Sequence, residues 1–411
     1  MAKTIKILET FSGIGAQNKA ITNINSQRGK KIFDIVATAD WDARANISYS
    51  AIHHDLNSKY EEILIKNSLV TEHDINVFLN KFNISLNSKS GSRIKSKNLL
   101  FKKYLAASIL LSDNQVDITK LNPNILREKD IDLVTYSFPC QGLSVANMGR
   151  AKGINDNEST SSLVWQIYRI LSNSNKKPKY LIMENVKNLL SKKFAPEYEK
   201  WKGVLSDLGY KTFTTIINGI DAGSIQKRER VFALSVLKDV YTPFNNDEEF
   251  KKYIDSKNET RKLDLEGRKK YFNKVFNFDL NSKDNINVLI NDTPSRVKMI
   301  NSQKIINESS NFIINTLTTK QDRIPCTGVI KHENNLIGKL NYRFITPKEA
   351  FMLMGFTEND FNKIRPLYEK NILTKDSLYR QAGNSIVVES ITSVFNVIED
   401  IESLGEENGQ K

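Results

Sequence analysis

Phe11-Ser12-Gly13-Ile14-Gly15-Ala16 lies between two stretches of different period. Ahead of it, residues 4–9 alternate weakly and carry enough β-branched side chains to predict a first strand. Behind it, residues 17–25 read as a helix. Strand, Gly-x-Gly, helix is the opening of a nucleotide-type α/β fold. The glycines let backbone approach a ligand, and the helix start offers unpaired N–H groups to a carboxylate or phosphate. The third glycine of a dinucleotide fingerprint is missing, which argues against NAD.

Working outward, residues 32–39 form a second predicted strand, ended by Asp40 and Trp41. An acid at that strand end is placed to accept hydrogen bonds from ribose hydroxyls. The neighbouring indole offers a stacking face for adenine. The plainer reading makes Asp40 the cap of a helix over 42–54 and Trp41 a core residue; cap and ribose roles are compatible. His53 and His54 show no metal-ligand spacing and read as packing or surface residues. Residues 57–112 form a long insertion with nine Lys/Arg against four Asp/Glu, polar and turn-rich around 86–93, helical over 99–111. It is either a solvated decoration or a contact to a nucleic-acid backbone. Asp117-Ile118-Thr119 closes the first half.

The second decisive stretch is Tyr136-Ser137-Phe138-Pro139-Cys140-Gln141-Gly142-Leu143-Ser144. It follows the apolar run 131–135, a predicted strand that Pro139 stops. Ligands of open α/β sheets gather outside the carboxyl ends of the strands, so a thiol just past Pro139 faces a cleft. The chain has two cysteines, too few for a disulfide framework. The bland reading of Cys140 is a small buried hydrophobe. The loop beyond it, with Asn147, Gly149, Arg150, Lys152 and Gly153, suits a lid over a substrate.

Farther on, Tyr180-Leu181-Ile182-Met183 predicts a buried strand with Glu184 at its end. A carboxylate there is either functional or simply reaching solvent. Gln226-Lys227-Arg228-Glu229-Arg230 leads into a last strand of this half. Arginines at alternate strand positions share a face and are expected to clamp a phosphate or a base edge, or to form a surface charge ladder. From Tyr241 to residue 340 the chain is rich in Asn, Lys and Asp without strong period, an irregular second domain. Thr346-Pro347-Lys348-Glu349 is a helix start. Gly383-Asn384-Ser385 precedes a helix over 386–398, and the last seven residues read as a frayed tail.

Bulk properties agree with a globular protein that meets a polyanion. The 411 residues are 39% hydrophobic and 26% charged, with net charge +13. Lysines and arginines that neutralise phosphates release condensed counterions, which favours nucleic acid as partner; a merely lysine-rich composition is the alternative. No run of about 18 apolar residues predicts a membrane span. The two cysteines and the absence of an export-signal core point to the cytoplasm.

Taken in order, these segments resemble the DNA cytosine-5 methyltransferases. Phe11-Ser12-Gly13-Ile14-Gly15 is similar to the family's first motif, Ser137-Phe138-Pro139-Cys140-Gln141 to its nucleophile motif, and Glu184-Asn185-Val186 to the motif of its second catalytic group. Gln226-Lys227-Arg228-Glu229-Arg230 matches Gln-x-Arg-x-Arg. Arg343 with Thr346, Glu349 and Met354-Gly355-Phe356 resembles the ninth motif, Gly383-Asn384-Ser385 the tenth, and Thr316-Leu317 the Thr-Leu pair of a target recognition domain. Coverage runs from residue 4 to about 398. Ala16 replaces a frequent glycine, Asp40 a usual Glu, and Thr160-Ser161-Ser162 stands where the family often has an arginine.

The resemblance implies a class I S-adenosylmethionine-dependent methyltransferase fold, a Rossmann-like mixed sheet with helices on both faces, plus a smaller irregular domain. The catalytic domain would occupy 1–240 with the insertion at 57–112, the target recognition domain 241–340, and 341–411 would return to the catalytic domain. Cys140, Glu184, Arg228 and Arg230 are then the catalytic residues. S-adenosyl-L-methionine would lie on Phe11, Gly13, Ile14, Gly15, Asp40, Trp41, Asp117, Ile118, Pro139, Leu163 and Asn384. Gln141, Ser144, Arg150, Thr316 and Leu317 would touch double-stranded DNA. No metal is implied. The chain would act as a monomer in a restriction-modification system, with a cognate endonuclease acting separately. A tRNA cytosine-5 methyltransferase of the same fold and a catalytically inactive DNA-binding homologue are the alternatives. An NAD-dependent oxidoreductase would leave Cys140 and the second domain unused.

Overall fold

The structure, a computed structural model, describes residues 3–88, 90–92, 94–140, 142–143, 153–156, 159–307 and 311–407. In chain order the strands are β1 (Ile5–Thr10), β2 (Phe33–Ala39), β3 (Leu133–Tyr136), β4 (Tyr180–Val186), β5 (Tyr210–Asn218), β6 (Gln226–Lys227), β7 (Glu229–Leu237), β8 (Leu289–Asn291), β9 (Ile314–Asn315), β10 (Ile330–Lys331) and β11 (Lys339–Arg343). Two compact units divide the chain. The first holds 1–217, 229–257 and 391–411; the second holds 218–228 and 258–390.

The first unit is built on one six-stranded sheet of order β2-β1-β3-β4-β7-β5. β1 pairs in parallel with β2 and with β3, and β3 in parallel with β4; β7 runs antiparallel to β4. The first six residues of β4 are buried, as expected for a central strand covered on both faces. Tyr136 and Met183 from the sheet pack with Tyr198, Trp201 and Leu205 of the helix Ala195–Asp207. From β1 the chain moves to one side into β2 and later to the other side into β3. That reversal puts the topological switch point, the usual ligand position of open α/β sheets, at the carboxyl ends of β1 and β3.

The insertion at 57–112 is largely helical: Leu56–Lys66, Glu72–Leu79 and Leu99–Leu111. The last of these packs on the first and on the helix Ala43–His53. Its Lys102 is buried and pairs with Glu72 at 2.9 Å. Asp42, not Asp40, caps Ala43–His53, accepting from the Arg44 and Ala45 amides. Asp40 is thereby released from the capping role.

The second unit combines a three-stranded sheet, β10-β11-β8, with helices that include Leu265–Val275, Pro347–Leu353, Glu358–Glu369 and Lys375–Asn384. Its limits depart from the expected ones at both ends. Residues 241–257 belong to the first unit, because Phe244 stacks edge-on against Phe213 at 4.8 Å and Asp247 accepts from the Thr214 amide. Residues 341–390 stay with the second unit, because Arg343 of β11 forms a two-pronged buried pair with Glu349, both bonds 2.8 Å. The chain rejoins the first unit only at Ile391, where Phe395 packs on Phe33 and Glu399 pairs with Arg28. The helix start at Thr346 was legible from its cap, but a boundary follows from who pairs with whom.

Candidate active site

The loop after β1 is shaped by backbone geometry. Phe11 (φ 54°), Gly13 (φ 55°) and Gly15 (φ 78°) all take the left-handed region. A side chain on Gly15 would collide with Tyr49 and His53, whereas the side of Gly13 opens onto free space. Glycine is needed at 15 for close approach, and the open side of Gly13 leaves room for a ligand. The Gly13 amide donates to Asp40 Oδ2 at 2.8 Å and the Asp42 amide to Oδ1 at 2.8 Å. Burial pushes the Asp40 carboxyl up to about 6, with the charge of Asp42 adding to the effect and the two amides opposing it.

Beneath this loop lies an acid that sequence reading passed over. Glu9 on β1 is fully buried, accepts from the Tyr49 hydroxyl at 2.8 Å, and has no hydrogen-bond partner at Oε1 among the described residues. Burial pushes it up to about 8, with Asp40 adding to the rise and the Tyr49 bond opposing it. The end of β2 is fixed by Asn114, which accepts from the Asp40 amide (3.0 Å) and donates to the Asp40 carbonyl (3.0 Å). The same Asn114 oxygen accepts from Val116, a β-branched residue at φ 59°. Strain of this kind gathers where the surroundings over-determine a site.

The Asp117 carboxylate accepts from the Thr119 amide and hydroxyl and from Asn83, which fixes it in a turn. Ile118 is buried in the core, and its carbonyl accepts from Arg169 at 2.9 Å. Trp41 is half-buried, not a core residue, and Phe11 and Leu163 rest partly buried against the same core. Ile14 is buried, and its carbonyl meets His53 at 3.1 Å.

Pro139 and Cys140 follow β3, both half-buried. Glu184 lies on adjacent β4, directly after the pair Tyr136–Met183. Cys140 and Glu184 therefore share the carboxyl edge of the sheet, beside the loop after β1. Glu184 is nearly buried, and Arg230 of β7 approaches its carboxylate at 3.4 Å. Asn185 donates to the Phe138 carbonyl (3.1 Å) and Asn188 to the Leu143 carbonyl (2.6 Å), so the segment after β4 holds the segment after β3. Glu197 accepts from the Ile154 amide (2.6 Å) and the Asn155 amide (3.2 Å). Gln141, Ser144 and Arg150, expected at DNA, lie outside the described residues, as does most of the expected lid.

The two arginines have different partners. Arg228 belongs to the second unit, where its guanidinium is buried and donates to the carbonyls of Leu317 (2.8 Å), Gly383 (2.9 Å) and Ser385 (2.9 Å). It ties three segments of that unit together. Gln226 of the same motif accepts from the Leu317 amide and donates to the Leu353 carbonyl. Leu317 is buried, and the Thr316 hydroxyl donates to the Lys227 carbonyl at 2.6 Å, so the Thr-Leu pair is tied into this scaffold. Asn384 ends its helix exposed, in the second unit.

An open sheet with a glycine loop, an acid after the second strand, and a thiol and carboxyl on neighbouring strand ends defines a class I S-adenosylmethionine-dependent methyltransferase fold. Residues 94–400 match the family described as C-5 cytosine-specific DNA methylase, and the chain belongs to that family. It is 31% identical over 396 residues to the type II methyltransferase M2.ScrFI of Lactococcus lactis subsp. cremoris, covering 95% of this chain and 98% of that one. It is 32% identical to the orphan methyltransferase M.SssI of Spiroplasma monobiae, covering 96% and 97%. Among solved structures, Dnmt2 methyltransferase of S. pombe superposes with a TM-score of 0.64 at 20% identity, covering 97% of this chain and 99% of that one. The protein is a cytosine-5 DNA methyltransferase; the tRNA alternative finds no support in these relatives. Among the described residues, no helix is long and apolar enough to cross a membrane.

Proposed function

We propose that this enzyme methylates a cytosine within a specific double-stranded sequence, using Cys140 as a covalent nucleophile and S-adenosyl-L-methionine as methyl donor. The observation that carries the reading is the placement of Cys140 and Glu184 on adjacent strand ends beside the switch point, with Arg230 on the carboxylate. The residues present fit the donor: Gly13 is open above its loop, Asp40 offers carboxylate lone pairs to ribose hydroxyls, and Trp41 is half-buried. When bound, S-adenosylmethionine supplies an electrophilic methyl group.

Cytosine C5 is a poor nucleophile. Addition of the Cys140 thiolate at C6 makes C5 enamine-like. Glu184, carrying a proton toward N3, stabilises the negative charge that addition puts on the ring. Arg230, 3.4 Å from the carboxylate, orients Glu184. Loss of the C5 proton and elimination of Cys140 then restore the aromatic ring. The base must leave the duplex for this chemistry, at a cost of a few kcal/mol. Residues 258–340 read the sequence, and the net charge of +13 supplies a backbone-binding term. The enzyme acts in the cytoplasm as a monomer and as the modification half of a restriction-modification system, beside a separately acting endonuclease.

Duplex containing 5-fluorocytosine tests the nucleophile. Fluorine cannot leave C5 as a proton does, so a denaturation-resistant complex should form with the natural protein and with Cys326→Ser. Cys140→Ser should form none, since a hydroxyl is barely ionised at neutral pH. A covalent complex with Cys140→Ser would remove Cys140 from its role.

A further inference from the structure

We propose that Ser161 is a positioning residue for Cys140, acting through one buried hydroxyl that grips the chain on both sides of the thiol. The inference rests on Cys140 being the nucleophile and goes beyond it, since it concerns what presents the sulfur to the base.

Ser161 is completely buried. Its hydroxyl donates to the Pro139 carbonyl at 2.6 Å and accepts from the Gly142 amide at 3.1 Å. A single oxygen thus bridges the residue before Cys140 and the residue two after it. The turn is closed further by the Leu143 amide on the Cys140 carbonyl (2.9 Å) and the Gly153 amide on the Gly142 carbonyl (2.9 Å). Gly142 is indispensable to the grip: a Cβ there would collide with the hydroxyls of Ser159 and Ser161 and lie 3.0 Å from the Gly153 carbonyl. Ser161 is itself held, because it lies in the 3-10 turn Thr160–Leu163, whose cap Ser159 accepts from the Ser161 amide.

The consequence is geometric. Asn185 and Asn188 hold Phe138 and Leu143, one residue farther from the thiol on each side. Among the described hydrogen bonds of Pro139 and Gly142 to side chains, those to Ser161 lie nearest Cys140. Removing the hydroxyl leaves the buried Gly142 amide without its acceptor and loosens the Cα of Cys140. A misplacement of about 1 Å in a reacting atom costs on the order of 100-fold in rate.

The test compares Ser161→Ala, Ser161→Thr and Cys140→Ser on a mixed-sequence duplex synthesised with 5-fluorodeoxycytidine throughout, so that the methylated site needs no prior identification. Covalent trapping by Ser161→Ala should slow on the order of 10–100-fold. Its affinity for S-adenosylmethionine by calorimetry should stay within about twofold, and the Thr variant, which keeps the hydroxyl, should trap within about threefold of the natural rate. In a Cys326→Ser background, the pH profile for alkylation of Cys140 by iodoacetamide should shift in the Ala variant and not in the Thr variant. A natural trapping rate in Ser161→Ala, equal losses in Ala and Thr, or cofactor affinity lost in proportion to trapping would each overturn the proposal while leaving the nucleophile intact. Trapping by Cys140→Ser would overturn both.

Discussion

At the scale of single residues, two acids near the loop after β1, Glu9 buried and Asp40 half-buried, carry opposite lessons. As the proposed ribose acceptor, Asp40 needs its charge. Held up at about 6, it is ionised at pH 7.5 and mostly protonated at pH 5. As a ribose acceptor its strength is present above that value and lost as pH falls through it. S-adenosylmethionine affinity should therefore weaken roughly tenfold between pH 7.5 and 5. Asp40→Asn should bind weakly at both, without that dependence. Calorimetry showing the natural pH profile in Asp40→Asn would remove Asp40 from the cofactor site.

Glu9 is the converse. Its folded-state value of about 8 lies above the ordinary 4.5, so between those values the folded chain holds a proton that the unfolded chain has released. Stability then falls as pH rises through this window. Glu9→Gln keeps an acceptor for Tyr49 and has no proton to lose. Its melting temperature should exceed that of the natural protein at pH 8.5 by several degrees and match it near pH 5. Equal melting curves at both pH values would show that Glu9 is not charged by rising pH.

At the scale of elements, the Arg343–Glu349 pair joins β11 to the helix Pro347–Leu353 in the dry interior of the second unit. Arg343 also donates to the carbonyls of Phe344 (3.0 Å) and Asn277 (2.6 Å), and Glu349 accepts from the Thr346 amide (2.7 Å). A buried pair of this kind is costly to halve, because the surviving charge stays buried. Glu349→Gln should destabilise the protein by roughly 3–5 kcal/mol. Arg343→Met with Glu349→Leu should cost less than either single change. Denaturant unfolding checks both, and a double variant that costs as much as either single change would contradict this account. Arg228 works in a similar way with neutral partners, its charge spread over three carbonyls.

At the scale of the whole molecule, the chain forms two compact units, and the proposed function assigns sequence reading to the second. Exchange of residues 258–342 with those of a relative keeps Arg343 with Glu349 and leaves Cys140, Glu184 and Arg230 in their own unit. Bisulfite sequencing of DNA from cells expressing the chimera should show a changed set of methylated cytosines. An active chimera with the original specificity would place sequence reading outside this block. The cut differs from the one that composition suggested at Tyr241, because Phe244 and Phe250 pack on Phe213 in the first unit.

Sequence by itself determined the order of the strands' chemistry: a glycine loop after β1, an acid after β2, a thiol after β3 and a carboxyl on β4. Each is a local pattern, an apolar run ended by a breaker or a polar group, and such patterns survive without tertiary information. The helices Leu99–Leu111 and Pro347–Leu353 were legible for the same reason, through apolar content and a capping box. Tertiary structure alone decided where side chains spend their hydrogen bonds. Alternation placed Arg228 beside Arg230, yet one is committed to carbonyls of the second unit and the other to Glu184. Glu9, Asn114 and Ser161 gave no signal in sequence, because a carboxyl, an amide or a hydroxyl acquires its role only from the distant partner that folding brings to within about 3 Å.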